Sequence, residues 1–101
     1  MQGADAPCRA TWFAYIRKIM PVIVWDEPKR AWTLAERGLD FADLDEAFFL
    51  EAVVVPAKLG RFKAVGQLGG TVLAVIFVPL GTQGLSVISM RVANRKERAL
   101  L

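Results

Sequence analysis

Residues 61–80, RFKAVGQLGGTVLAVIFVPL, decide the fold, because they contain two strands joined by a tight turn. The first strand, residues 61–68, alternates between two faces, with Phe62, Ala64 and Leu68 on one face and Arg61, Lys63 and Gln67 on the other. Gly69-Gly70 favours a two-residue hairpin. Residues 71–78 are apolar on both faces, which is typical of a central strand, and Pro79 ends that strand.

A third strand follows over residues 85–92, after the turn at residues 81–84. Its alternation predicts two faces, one with Ile88, Met90 and Val92 and the other with Val87, Ser89 and Arg91. Paired beside the central strand, it would bring Arg91 to the sheet face that carries Arg61 and Lys63. A short helix is predicted from about Asn94.

Upstream of the sheet, residues 22–25 form a short β-branched strand, and Asp26 then stands at an N-cap position. Pro28 lies in the first turn of the helix that follows, which is a position where proline is favoured. The pattern predicts a first helix over residues 27–37, ended by Gly38.

A second N-cap signal comes from Asp40, with Asp43 three residues later. Apolar residues recur after it at helical spacing and predict a second helix over residues 41–50. Residues 52–55 then read as a short strand stopped by Pro56, and a loop should occupy residues 58–60.

Together these elements predict an α+β fold, in which β-α-α precedes a three- to four-stranded antiparallel sheet packed on two helices, with a short C-terminal helix. Residues 20–101 are expected to form a single domain, with Met20 as its natural start. Residues 1–19 fit poorly with this pattern and are expected to be an extension, disordered or outside the native domain. The alternative is a short helix over residues 10–19 that covers part of the core.

Charge is distributed unevenly along the 101 residues, although the net charge is only +3. Residues 36–51 hold six acidic residues and one basic residue, whereas residues 52–101 hold seven basic residues and one acidic residue, Glu97. Such asymmetry suits a basic binding surface.

Cys8 is the single cysteine and histidine is absent, so an internal disulfide, a cysteine-based metal site and imidazole chemistry are all excluded. The longest apolar run, residues 71–80, is half the length of about 20 residues that a membrane-spanning helix needs. We therefore expect a cytoplasmic protein without membrane insertion or secretion.

The polar face of the sheet has an apolar middle, because residues 71–78 contribute apolar side chains to it whichever way they alternate. Exposed apolar patches of this kind indicate interaction sites. We expect residues 1–25 or another protein to cover it.

Four separated motifs resemble the BrnT toxins of bacterial type II toxin–antitoxin pairs. They are Trp25-Asp26-x-x-Lys29, then Leu34, Gly38 and Phe41, then Arg61-Phe62-x-x-x-Gly66, and finally Ile88-Ser89-Met90-Arg91-x-Ala93-x-x-x-Glu97-Arg98. The resemblance covers residues 22–98 and implies a RelE-like fold, messenger RNA cleavage that arrests translation, and inhibition by a small antitoxin called BrnA, whose complex with the toxin binds operator DNA. The chain departs from the family at Thr33, where Asn is common, and at Glu36-Arg37, where Lys-His is common.

RNA cleavage by the 2′-hydroxyl requires a base, stabilisation of a dianionic phosphorane and protonation of the leaving oxygen. Arg61 and Arg91 are predicted to hold the phosphate as a pair, because a guanidinium can donate to two oxygens at once. Lys29 is the third catalytic candidate, and Asp26 and Glu51 are candidate bases. Trp25, Lys63, Ser89 and Arg95 are candidate RNA contacts, and the scheme requires no metal or cofactor.

Each candidate also has a purely structural interpretation. Asp26 could serve only as a helix cap, Trp25 could belong to the core or its rim, and Lys29 could be solvated. Arg61 could protect an edge strand, and Arg91 could pair with Glu97 or with an acidic residue of the second helix.

Three functions therefore stay open from the sequence. The chain could be an RNA-cleaving toxin that acts on free or ribosome-bound message. It could instead be an inactive partner that acts with an antitoxin as an operator-binding co-repressor, which the missing histidine favours. It could also be an interaction domain whose basic face binds an acidic protein.

Overall fold

The computed structural model describes residues 22–81 and 84–101 of the chain. They form five strands, three α-helices and two short 3₁₀ turns. In chain order these are β1 (Val22–Trp25), α1 (Glu27–Arg37), a 3₁₀ turn (Phe41–Asp43), α2 (Glu46–Glu51), β2 (Val53–Pro56), a second 3₁₀ turn (Lys58–Gly60), β3 (Phe62–Leu68), β4 (Thr71–Leu80), β5 (Gly84–Val92) and α3 (Arg95–Arg98).

All five strands belong to one sheet in the order β1-β5-β4-β3-β2. The neighbours are antiparallel except β1, which pairs parallel to β5 through residues 22–25 and 84–87. The prediction of an α+β fold with β4 at the centre is confirmed. The expected three to four antiparallel strands are present as β2 to β5, and β1 adds a fifth strand in parallel, a pairing that the sequence did not predict.

The hairpin between β3 and β4 has the predicted two-residue turn. Gly69 and Gly70 have φ values of 59° and 87°, a left-handed conformation that glycine adopts without steric cost. The turn fixes the register, so Leu68 pairs with Thr71 and Phe62 with Phe77.

The alternation predicted for β5 is broken by a bulge at Ile88. Ile76 pairs with Ser89 and Phe77 pairs with Val87, which leaves Ile88 as an extra residue. Upstream of the bulge the faces are exchanged, so Val87 is buried in the main core rather than lying with Ser89 and Arg91 as predicted.

The first helix has the predicted bounds and caps. The Asp26 carboxylate accepts a hydrogen bond from the Lys29 backbone N–H, and Gly38 ends the helix at φ 70°. The second helix was predicted incorrectly over residues 41–50. Asp40 caps only the 3₁₀ turn, Leu44 is extended, and Asp45 caps the helix that begins at Glu46.

The main core lies between the sheet and the segment containing α2. Phe49 packs edge-on against both Phe48 and Phe77, with ring centroids 5.2 Å and 5.5 Å apart respectively. A smaller buried cluster of Val65, Ala74 and Ala93 lies on the opposite face of the sheet, which we name the open face. Apolar burial on both sides of β4 explains why its sequence lacks polar alternation.

The predictions made for residues 1–19, including the alternative helix, lie outside the described residues. Within the described ranges, every helix falls short of the length and apolar character that a bilayer span requires.

Candidate functional site

A cleft of about 310 Å³ lies between α1 and the bulged part of β5. It is lined by Pro28, Lys29, Trp32, Thr33, Arg37, Ile88 and Ser89. β1 pairs with β5 only as far as Val87, so among the described residues no strand pairs with the rest of β5 on that side, and α1 lies beside it. The cleft therefore occupies the place where the parallel pairing stops.

Three side chains reach the cleft from one face of α1 because they are spaced four residues apart. Lys29, Thr33 and Arg37 follow one another along that face. Thr33 is buried, whereas Lys29 and Arg37 are exposed. The cleft therefore has two cationic side chains on its α1 wall, with Ile88 and Ser89 of β5 opposite them.

Arg37 is held in place by two contacts. Its Nη1 donates a hydrogen bond of 2.9 Å to the carbonyl oxygen of Met90 in β5. Its guanidinium carbon lies 5.2 Å from the ring centroid of Trp32, within cation–π distance. The arginine thus ties α1 to β5 while it contributes positive charge to the cleft.

The residues beside Lys29 at the start of α1 are engaged in local contacts. The Asp26 carboxylate lies 3.3 Å from the Lys29 backbone nitrogen. The indole N–H of Trp25 donates to Glu27 at 3.0 Å, and the half-buried Trp25 ring packs against the core. Asp26 therefore caps α1, and Trp25 lies at the rim of the core.

Arg91 and Lys63 meet on the open face, where both bind Glu97. Arg91 donates from Nη1 to Oε1 and from Nη2 to Oε2, both at 2.7 Å, and Lys63 Nζ donates to Oε2 at 2.8 Å. The Glu97 carboxylate also accepts the Asn94 N–H in a reciprocal capping box. The alternative that Arg91 pairs with Glu97 is confirmed.

These contacts lower the pKa of the buried Glu97 carboxylate. Hydrogen bonds from Arg91, and then from Lys63 and the Asn94 N–H, hold the pKa of Glu97 well below its ordinary value of 4.5, although burial opposes them. The same pairing raises the pKa of Arg91. Glu97 is a poor proton acceptor in this state, so its role here is to hold two cations and α3 against the sheet.

The structure does not bring Arg61 next to Arg91. Arg91 stands opposite Ala74, which stands opposite Val65, and Arg61 lies four residues before Val65, just outside β3. Strand spacing and rise then separate the two arginine Cα atoms by ~16 Å. In this structure the Arg91 guanidinium is bound to Glu97 rather than placed beside Arg61.

Glu51 and Arg95 lie away from the cleft. Glu51 ends α2 just before β2, at the sheet edge opposite β1, whereas the cleft lies beside β1 and β5. Arg95 is exposed in the first turn of α3. The structure thus forms two clusters that share β5. Lys29 of α1 lies near Ser89 in the cleft, and Lys63 of β3 lies near Arg91 on the open face.

The sequence interpretation overlooked Trp32 and Arg37 as site residues. The four-residue spacing of Lys29, Thr33 and Arg37 was the available signal for Arg37. Trp32 offered only its position in a predicted helix, which did not indicate whether the ring would be buried or exposed.

The fold and the site define a small single-sheet α+β protein with a cationic cleft between its first helix and its last strand. Residues 25–97 match the family model described as "Ribonuclease toxin, BrnT, of type II toxin-antitoxin system". The chain therefore belongs to the BrnT family of ribonuclease toxins.

A solved structure supports the same assignment. The 1.1 Å crystal structure of the Brucella abortus ribonuclease toxin BrnT is 54% identical, with a TM-score of 0.68. The match covers 72% of this chain and 96% of that one. No curated protein matches the chain significantly.

Proposed function

We propose that this chain is a messenger RNA endoribonuclease that arrests translation, and that it cleaves RNA in the cleft between α1 and β5. The observation that carries the proposal is the convergence of separated segments on this cleft. Lys29 comes from the Trp25-Asp26-x-x-Lys29 motif and Ser89 from the motif that ends β5, and the two meet across one cavity of about 310 Å³. The order β-α-α before the antiparallel strands agrees with a RelE-like arrangement.

The charges of the cleft suit the transition state of RNA cleavage. Attack of the 2′-hydroxyl on the adjacent phosphate creates a dianionic phosphorane, which positively charged and hydrogen-bonding groups stabilise. We assign that stabilisation to Lys29 and Arg37, with the Ser89 hydroxyl as a further donor. Asp26 is the proposed base, because its carboxylate already lies against the first turn of α1, beside Lys29.

The second cationic cluster extends this surface along β5. Arg91 lies two residues beyond Ser89, and its side chain is 37% exposed although Glu97 binds it. We propose that Arg91, Lys63 and Arg95 contact the phosphates of RNA that leaves the cleft. Binding to phosphates there would raise affinity without selecting a sequence.

The experiment measures cleavage of a single-stranded RNA by the purified chain and by its Lys29→Ala variant. Loss of a transition-state cation should lower the cleavage rate about 100-fold or more. Lys58→Ala is the matched control, because Lys58 is an exposed lysine in the 3₁₀ turn before β3, on the far side of the sheet. Equal rates for Lys29→Ala and the wild type would contradict the proposal.

A second candidate function rests on Arg37, which stands where related toxins commonly carry histidine. An arginine stays protonated at neutral pH and cannot exchange protons as an imidazole does. The alternative is therefore an inactive toxin that acts with its antitoxin as a co-repressor on operator DNA. Induction of the lone chain in bacteria separates the two functions, because growth arrest with message loss requires an active nuclease.

We also propose that a small BrnA-like antitoxin binds the open face. The exposed part of this face carries Val22, Val24 and Leu80, whose side chains are 62%, 40% and 44% exposed. Strand register places Val24 in line with Ser86 and Val78, and Val22 in line with Gly84 and Leu80, so these apolar side chains form one patch.

The charged residues around this apolar patch indicate what kind of antitoxin segment would bind it. Lys63 and Arg91 lie on the same face, and α3 adds Arg95, Lys96 and Arg98 nearby. An apolar segment with acidic side chains would match both the patch and its basic margin. Such a segment of the antitoxin would also lie close to the cationic surface that we assign to RNA, so binding and inhibition would be coupled.

A further inference from the structure

We propose that Trp32 stacks against an unpaired base of the bound RNA and so makes the toxin selective for single-stranded substrate. The inference rests on the proposed use of the cleft as the RNA site. It adds a base-binding position to the phosphate-binding groups Lys29 and Arg37.

Trp32 differs from Trp25, the other tryptophan in the part of the chain that the structure describes. The Trp25 ring packs against the core and its N–H is bonded to Glu27. Trp32 is 54% exposed and lines the cleft. The exposed indole surface adjoins the cationic cleft and is therefore accessible to a bound ligand, and tryptophan is a strong stacking side chain.

The position of Arg37 prepares Trp32 for stacking. The guanidinium lies 5.2 Å from the ring centroid and is itself fixed by its bond to Met90. The contact limits the motion of the indole, so less conformational freedom is lost when a base binds. A base on the exposed part of the indole would complete a layered arrangement of guanidinium, indole and base.

The position of Lys29 indicates which base of the RNA would reach Trp32. Lys29 precedes Trp32 by one helical turn and lines the same cleft, so a phosphate held at Lys29 would bring an adjacent base to the Trp32 ring. Bases within a duplex have both faces covered by their neighbours and cannot stack on a side chain without unpairing. The geometry therefore favours single-stranded RNA over duplex RNA.

The test measures binding of a single-stranded, fully 2′-O-methylated oligoribonucleotide, which lacks the attacking hydroxyl and stays intact. Trp32→Leu should weaken binding about 10-fold or more, because it removes the aromatic face and keeps an apolar side chain. Trp32→Phe should retain binding to within about threefold, because a smaller ring still stacks. Leu34→Ala is the control, since Leu34 is 43% exposed on α1 but lies outside the cleft.

A thermodynamic cycle identifies the stacked base. An abasic nucleotide is moved through the oligonucleotide one position at a time, and at one position it should weaken wild-type binding as much as Trp32→Leu does. At that position the abasic change should have no further effect on the Trp32→Leu variant. Independent, additive losses at every position would overturn the stacking assignment.

The outcomes separate this inference from the proposed function. Normal binding by Trp32→Leu together with weak binding by Lys29→Ala would overturn the role of Trp32 and leave the cleft as the RNA site. The proposed function fails on a separate readout, a wild-type cleavage rate for Lys29→Ala, because Lys29 is assigned to the transition state. Equal affinity of the wild type for single-stranded and duplex oligonucleotides of the same sequence would overturn the selectivity.

Discussion

Arg91 and Glu97 form a bidentate ion pair, with both N–O distances at 2.7 Å, that fastens α3 to β5. Glu97 is only 3% exposed and is held by Lys63 and by the capping box as well. A buried carboxylate with this many donors stabilises the fold only while it is ionised.

We expect Glu97→Gln to lower the free energy of unfolding by about 2 kcal/mol at pH 7, because it removes the charge between two cations. The value is below that of a fully buried pair, since the Arg91 side chain is 37% exposed. Urea unfolding of the two proteins at pH 7 measures it, and an unchanged unfolding midpoint would contradict it.

The same pair predicts how stability depends on pH. The pKa of Glu97 is lowered on folding, so its contribution is complete above the ordinary value of 4.5 and is lost as the pH falls below it. The difference in free energy of unfolding between wild type and Glu97→Gln should therefore narrow as the pH falls from 7 to 3. Glu27 and Asp40, whose pKa values are also lowered, are present in both proteins, so their effects cancel. A constant difference across this pH range would refute the assignment.

Arg91→Ala should relieve the growth arrest and message loss that the induced wild-type chain causes. The substitution removes a proposed phosphate contact and leaves Glu97 with one fewer cation. Arg91→Lys keeps one charge-assisted bond and should retain part of both activity and stability. Thermal unfolding of the purified variants distinguishes the two effects, since a folded but inactive Arg91→Ala protein would indicate a direct role in binding RNA.

Leu80→Asp should weaken antitoxin binding at least 10-fold, because it places a negative charge in the apolar patch of the open face. Leu34→Asp is a closely matched control, since the two leucines are 44% and 43% exposed but Leu34 lies on α1. Co-purification and titration calorimetry with the antitoxin provide the comparison. Similar losses for both variants would mean that the antitoxin does not select the open face.

Gly66→Ala should destabilise the fold by about 1–3 kcal/mol through overpacking. A Cβ at this position would lie 3.1 Å from Cε1 of Phe48 and 3.2 Å from the Cβ of Ala52, where α2 meets β3. Gln67→Ala, a change at the next and exposed position, should alter stability much less. Equal unfolding midpoints for the two variants would contradict the prediction and show that α2 moves to accommodate the added methyl group.

Local sequence signals predicted the elements whose ends are fixed by local chemistry. Asp26, Pro28 and Gly38 fixed both ends of α1, and Gly69-Gly70 fixed the hairpin. The start of the second helix was predicted incorrectly because Asp40 and Asp45 can each cap a helix. Only the burial of Leu44 in an extended conformation decides between them.

The site was harder to predict, because it depends on strand offsets and exposure. Alternation placed Lys63 and Arg91 correctly on one face, but it could not give the offset that separates Arg61 from Arg91. The sequence does contain a signal of the bulge at Ile88. Residues 85, 87, 88 and 90 are all apolar, and this spacing departs from a strict alternation. Exposure of Trp32 arises from tertiary packing and had no sequence signal.

The parallel pairing of β1 with β5 has a consequence for the order in which the molecule assembles. Strands β2 to β5 pair with sequence neighbours, whereas residues 22–25 must find residues 84–87 at the far end of the chain. Contacts between distant segments form late and open early, so β1 and the attached α1 are expected to exchange amide hydrogens before the β3–β4 hairpin does. Because α1 carries Lys29, Trp32 and Arg37, local opening of β1 and α1 would remove the cationic wall of the cleft.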